Sequence, residues 1–439
     1  MHVTVERFGP RARLMWALVT ASPTTRLVAS SVTARLDRTE GTTDGPAGLI
    51  GLLPAPTGSI CFVRGDRGFV GWGVHARFTA TGPDAAARIQ EWFAQVQAGL
   101  TVTDPIAEAG TGPLAFVSLG FDDTDVAVAV VPQVVVGRTA HGTFVTRIGP
   151  AGESAPDAGL PVPAPIRGPG RIRYADDGSV AGFTQAVTAA TDRIRRGELD
   201  KVVLAHDLVA TAARTVDERL LLARLAADYP GCWTFDVQGL VGASPELLIR
   251  RQGRHIASRV LAGTAWPGHA DAAVAAELMR SPKDVAEHAY AVRSVSEVLA
   301  PACDHLDVPD RPTPLELANL THLSTDITGR LGEIAPTALE LAARLHPTAA
   351  VGGSPTPVAR QVIRELEPMN RGRYAAPVGW IDGRGDGEFA IALRCAQVDG
   401  RTVRLLAGCG IVADSDPETE AREAQIKMVP IRHALESMR

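Results

Sequence analysis

The apolar residues of this chain come in runs of strand length, and that limits what it can build. Val126–Val136, VAVAVVPQVVV, is among the most apolar stretches. It falls short of the ~18 residues needed to span a bilayer. Shorter β-like runs lie at Ser59–Arg64, Gly68–Gly73 and Pro113–Phe121, with a helical pattern at Pro83–Ala98 between them. Pro150–Gly170, PAGESAPDAGLPVPAPIRGPG, has the composition of a linker or surface loop. Beyond it the alternation resumes. Helical patterns at Phe183–Arg196, Asp217–Ala227, Ser281–Ala300, Thr337–Leu345 and Pro357–Leu366 alternate with strand-like runs at Lys201–Thr211, Cys232–Val237, Arg373–Trp380, Glu388–Ala396 and Arg404–Ala407. GASPELLIR, within Val241–Arg250, reads as a turn then a strand, and DGRGDG at Asp382–Gly387 reads as a hairpin turn. Ser281, Pro282 and Asp284 have the spacing of a capped helix start. A last helix begins at Asp416-Pro417 and runs toward Leu435, with Pro430 expected to kink or restart it.

Composition narrows the function. The chain has 439 residues and a formal charge of −5. Nucleic acid or an anionic membrane as main partner would need a concentrated basic face, and no basic run of five or more occurs. The five cysteines, Cys61, Cys232, Cys303, Cys395 and Cys409, form no CxxC pair, which fits buried thiols in a reducing cytoplasm. Met1–Thr20 lacks a clear signal-peptide layout. There is no GxGxxG after a strand, no GxxxxGK[ST], no GxSxG and no HExxH. Of the 44 basic residues only three are lysines, Lys201, Lys283 and Lys427. Arginine cannot give up its proton, whereas a partly buried lysine can act as a base, so a lysine retained in such a chain points to chemistry.

Two pairs of carboxylates carry the most information. Asp284 and Glu287 are spaced i, i+3 on one helix, and Glu420 and Glu423 are spaced i, i+3 on another, with Lys427 four residues further on the same face. Two such helices could close around a divalent cation, and hard oxygen ligands suit magnesium. Spacing alone favours two solvated acidic faces, since such pairs are common on surface helices. Lys201 opens an apolar strand, where it could be desolvated and serve as a general base, or simply be an exposed strand end. Glu246 precedes Leu247-Leu248-Ile249. A carboxyl embedded there should have a raised pKa and could be a general acid, or a buried glutamate satisfied by backbone donors. Arg394 falls in the otherwise apolar run Phe389–Cys395 and needs an anion, from protein or ligand. His322, in LTHLSTDITG, could be a core histidine or a site residue. Gly408-Cys409-Gly410 would let backbone approach a ligand, a weak signal by itself.

Read in order, these segments resemble the chorismate-utilising enzyme family. The carrying text is LDKVVLAH at Leu199–His206, GASPELL at Gly242–Leu248, LAGTAWPG at Leu261–Gly268 and SPKDVAEH at Ser281–His288. It continues with LTHLSTDITG at Leu320–Gly329, LHPTAAVGGSP at Leu345–Pro355, RGRYAAPVGW at Arg371–Trp380, GDGEFAIALRCA at Gly385–Ala396 and AGCGIVADSDPETEAREAQIK at Ala407–Lys427. Together they span Phe183–Leu435.

Within that family the text is most similar to the isochorismate synthases, serving menaquinone or siderophore assembly. The resemblance implies an isomerase that adds water at C2 of chorismate while the C4 hydroxyl leaves, reversibly and with magnesium. By motif, Lys201 matches the base and Glu246 the acid. Glu287 and Glu423 match direct magnesium ligands, with Asp284 and Glu420 acting through its waters. Arg394, the Gly408 amide and Lys427 match positions that hold the two carboxylates, and Gly263, Thr264 and His322 match positions lining the ring. Chorismate is a dianion, so a metal plus fixed cations suits it. The ammonia-using branches typically carry another residue at the Lys201 position. Salicylate synthases share the lysine and add pyruvate elimination, so they remain an alternative. A non-catalytic chorismate-binding protein is a second, disfavoured because it needs no acid–base pair.

His206 stands where the family often has arginine, Ala376 where glycine is frequent, and Pro430 interrupts the last helix. The implied fold is α+β, that of anthranilate synthase component I. It is a large two-layer β-sheet core with outer helices and the site in a cleft between. The region before residue 150 would contribute strands to the same unit of 1–439, making 150–170 an excursion within it and 180–436 the chorismate-binding region. The sequence sets no oligomeric state, a monomer included.

Overall fold

Proline decides how the longest apolar run is used. Pro132 has no amide hydrogen for a ladder, and Val126–Val136 is not one strand but two, Ala127–Val131 and Val134–Arg138. They belong to different sheets: the first pairs with Ala76–Ala80 and Leu114–Ser118, the second with Arg67–Trp72 and Thr143–Pro150. The computed structural model that shows this describes residues 27–33, 47–150, 159–175, 178–265, 272–317 and 320–437. Its two sheets have 13 and 10 strands. Leu27–Thr33 runs parallel to Thr101–Thr103; every other pairing among the described residues is antiparallel.

Strands from the two halves of the sequence pair in both sheets. Ile60–Arg64 lies beside Trp233–Val237, and Leu114–Ser118 beside Pro377–Asp382. The sheets pack face to face through large buried side chains such as Phe62, Phe116, Phe235 and Phe389. Phe69 of one sheet meets Trp380 of the other edge-on at 4.9 Å. The Trp233 indole N–H, in the larger sheet, donates to Glu388 Oε1 in the smaller at 2.6 Å.

Helices cover the outer faces. Ser179–Arg195 packs on strand Lys201–Ala212, and Pro282–Leu299 on His255–Ala265 and Leu320–Leu331. Ser281 caps the latter helix, its hydroxyl accepting the Asp284 amide at 3.3 Å. The Ser281 amide is bonded to Glu277 and Leu278 carbonyls, which leaves the Asp284 carboxylate for other use. Thr337 and Glu340 form a full capping box before Ala338–Leu345. The last helix restarts as the proline requires: Pro417–Lys427 ends at Met428, and Val429–Glu436 follows with Pro430 in its first turn. Residues 159–170 hold no helix or strand. Among the described residues no helix is long and apolar enough to cross a membrane. All five cysteines are free, four of them buried.

The runs that depart from expectation meet at one corner. GASP is not a turn: Leu240–Ser244 is a strand of the larger sheet, and after Pro245-Glu246 the chain enters the smaller sheet as Leu247–Gln252. Glu388–Ala396 is not continuous: Gly387–Ile391 lies in the smaller sheet and Cys395–Asp399 in the larger. Arg394 therefore sits in the break, not within a strand, at φ 49°. Arg373–Ala376 is a turn, with Ala375 at φ 60°, and the strand begins only at Pro377. The two crossings brace each other, the Ile391 amide donating to Glu246 O and the Ala243 amide to Arg394 O, each at 3.2 Å. Left-handed non-glycine residues cost about 1 kcal/mol or more and persist where surroundings over-determine them.

Candidate active site

Beside this corner lies a cavity of about 150 Å³. Glu246 and Arg394, from the two crossings, line it together with Gly263, Asp284, Glu287, His322, Gly408, Glu420, Glu423 and Lys427. Residues from Glu246 to Lys427 thus converge because two strands change sheets at the same place.

Lys201 is 3% exposed, and its Nζ donates to Glu287 Oε1 at 2.8 Å. It is a buried residue at a strand mouth rather than an exposed strand end. Gly410, opposite it, makes the room: a Cβ there would come within 2.9 Å of Lys201 Cε and 2.8 Å of Glu287 Oε1. The far edge of the lysine's strand is closed partly by side chains. Ser354 and Gly353 pair with Lys201 and Val202. Beyond them, Arg371 Nη2 donates to Val203 O at 2.7 Å and the Ala205 amide donates to Glu367 Oε1 at 2.8 Å. Arg371 and Glu367 form a fully buried ion pair at 2.6 Å. Arg371 also holds Val351 O at 2.9 Å, so it ties together two segments that line the cavity.

Glu246 is buried, with its amide held by the Ser244 hydroxyl at 3.3 Å. Burial pushes its carboxyl up to about 8, against a hydrogen bond from the Leu261 amide and the nearby charges of Lys201 and Arg394. It is therefore protonated at neutral pH, the state a general acid needs.

His322 Nδ1 lies 3.2 Å from Gly263 O, and its Nε2 lies 3.1 Å from Arg394 Nη2. Arginine can only donate, so Nε2 accepts and Nδ1 carries the hydrogen. Burial, then the charges of Arg394 and Lys427, hold the imidazole neutral. The histidine thus orients Arg394, whose other donors remain for a ligand. Gly263 is the bulge in the pairing of His255–Ala265 with Leu320–Leu331, at φ 75°, where a Cβ would also press on Asp284. The Thr264 backbone pairs with His322; its side chain, like that of Lys283, lies outside the described set.

Both acid pairs face the cavity. Lys427 Nζ lies 2.6 Å from Glu423 Oε1 and donates to Gly408 O at 3.0 Å. Cys409, Glu420 and Glu423 offer donor atoms within 4.8 Å of one another. The thiol is turned to Glu420 O at 3.2 Å, and burial pushes its pKa up. Thiolate is a soft ligand that does not suit magnesium, whereas the carboxylates of Glu420 and Glu423, with Asp284 and Glu287 lining the same cavity, are the hard oxygen donors it takes.

Several contributors were not singled out from sequence. His288, the last residue of SPKDVAEH, contacts Thr325 Oγ1 at 2.7 Å and Ala262 O at 3.3 Å, fixing the acidic helix to two strands one residue beyond Glu287. The Arg371–Glu367 pair lies within helix-turn text without an apolar signature, and only the unpaired edge of a distant strand explains it.

Known proteins place this geometry in context. The family described as "Chorismate binding enzyme" matches residues 164–436. The isochorismate synthase MenF of Bacillus subtilis is 40% identical over 260 residues, 58% of this chain and 55% of that protein. A putative isochorismate synthase MenF of Mycobacterium tuberculosis is 40% identical over 344 residues, 74% of this chain and 87% of that protein. The solved structure of MenF, the menaquinone-specific isochorismate synthase of Escherichia coli, superposes with a TM-score of 0.75 at 25% identity, covering 94% of this chain and 95% of that one. The chain belongs to the chorismate-binding enzyme family.

Proposed function

We propose that this chain is an isochorismate synthase, an isomerase that adds water at C2 of chorismate and expels the C4 hydroxyl. The observation that carries this reading is a cavity lined by buried Glu246 and by Glu287, the latter holding buried Lys201 at 2.8 Å, among cations fit for a dianion. Lys201, once its ammonium proton has passed to solvent, accepts the proton of the attacking water. Glu246 gives its proton to the departing hydroxyl, so that water leaves and the ring keeps its charge. Arg394, oriented by neutral His322, and Lys427 hold the carboxylates. Glu287 and Glu423 would hold magnesium directly, with Asp284 and Glu420 as outer partners. When bound, the ion would neutralise and orient the ring carboxylate. The product would enter menaquinone or siderophore assembly.

The test is product identification by chromatography from chorismate with magnesium, with EDTA as control and lactate dehydrogenase as the pyruvate detector. Isochorismate without pyruvate is expected. Pyruvate in step with product would make the chain a salicylate synthase, and clean ligand binding without turnover would make it a binding protein.

A further inference from the structure

The lysines of the cavity are already placed where a metal would act. Lys201 Nζ is 2.8 Å from Glu287 Oε1, and Lys427 Nζ is 2.6 Å from Glu423 Oε1. These are the two carboxylates assigned above as direct magnesium ligands. Four carboxylates crowd the cavity, and like charges so close repel strongly. Two ammonium groups offset that repulsion.

Resting on the magnesium reading above, we propose that Lys201 and Lys427 are built-in place-holders for the divalent cation. In the metal-free site they occupy Glu287 and Glu423, and metal entry exchanges them off those carboxylates. The exchange has a use for each freed group: Lys427 turns to a substrate carboxylate, and Lys201, released from the carboxylate that held it as an ammonium, can give its proton to solvent and turn to the reacting water. It also orders the charges. Four carboxylates face three cations, Lys201, Lys427 and Arg394, with Glu246 neutral. The metal-free cavity is therefore net negative and repels a dianion. A divalent cation removes that excess, leaving the cavity net positive while Lys201 is charged and neutral once it has lost its proton, so that the dianion enters without net repulsion. Metal and substrate consequently strengthen each other's binding, as linkage requires.

The chain is unusually suited to the test, because it has only three lysines. Full-length protein labelled with ¹⁵N at lysine Nζ gives three side-chain signals, assigned by Lys201→Arg, Lys283→Arg and Lys427→Arg. Magnesium chloride is titrated into the chelator-treated protein while calorimetry measures metal binding on the same sample. The Lys201 and Lys427 signals should move, or vanish by exchange, along the calorimetric isotherm. Lys427→Met should melt at a lower temperature than wild type without metal, bind magnesium about tenfold tighter, and regain the lost stability when loaded. Signals that stay in place at saturating magnesium overturn the proposal, and they do so even if Lys427→Met fails to fold. Absence of calorimetric binding overturns it together with the metal assignment, whereas isochorismate formation, assayed separately, reports on the enzyme function alone.

Discussion

A carboxyl group buried like Glu246 resists ionisation, because no solvent shell compensates the charge. With its pKa near 8, the proton it must donate is present below that pH and lost above it. Turnover should therefore decline as pH rises through about 8, and Glu246→Gln should abolish that limb and lower kcat by about 10²–10⁴-fold, as a pH–rate profile would show. The same shift bears on stability. A folded-state pKa above the ordinary carboxylate value makes folding less favourable as pH rises from that value through about 8. Glu246→Gln should thus match or exceed wild type in stability at pH 9, by urea denaturation. Lys201→Gln should cost a similar factor in kcat while leaving circular dichroism unchanged; full activity would remove it as the base. Gly410→Ala puts a methyl group against Lys201 and Glu287, and a displacement of even 1 Å can cost about 100-fold. A kcat within twofold of wild type would show the lysine's placement to be unimportant.

Among elements, the strand Lys201–Ala212 depends on a buried ion pair for part of its edge. Breaking such a pair by removing one partner typically costs about 3–5 kcal/mol. Arg371→Met should lose that much in urea denaturation, and an unchanged midpoint would mean that the strand needs no such edge. A second buried pair is pH-sensitive. The Glu218 carboxyl is pushed up mainly by burial, and Asp236 by burial and then by Glu218 beside it. Both favour the protonated form in the fold, so stability contributed at low pH is lost as pH rises beyond the ordinary carboxylate range. Asp236→Asn should be more stable than wild type at pH 8, with the difference shrinking at pH 4. The acid pairs and their helices were legible in the sequence because i, i+3 spacing and capping are local. The Ser281 cap and the Pro430 restart were legible for the same reason. An interruption before Leu247 was legible too, but the change of sheet at Pro245-Glu246 was not, nor was the break at 392–394. Whether an apolar run continues or changes sheets is set by partners far away, and FAIALRC carries no proline or glycine to mark it.

For the whole molecule, two sheets exchange strands at one corner, and the chemistry sits there because the exchange brings distant text together. Glu246 and Arg394 lie on the two crossing segments, hydrogen-bonded across them. Lys201 comes from the larger sheet, while the acidic helices Pro282–Leu299 and Pro417–Lys427 close the cavity from outside. Of the residues expected from sequence, Lys201, Glu246, Gly263, His322, Arg394, Gly408, Lys427 and the four acids assemble around that cavity. The central claim is that Lys201 directs a solvent water to C2 of chorismate while Glu246 releases the C4 hydroxyl. Turnover in H₂¹⁸O with product analysed by mass spectrometry tests it directly. Isochorismate heavier by 2 Da, with the label at C2 and no pyruvate, is the predicted result. Unlabelled isochorismate would show that the hydroxyl migrates within the substrate and would contradict the account.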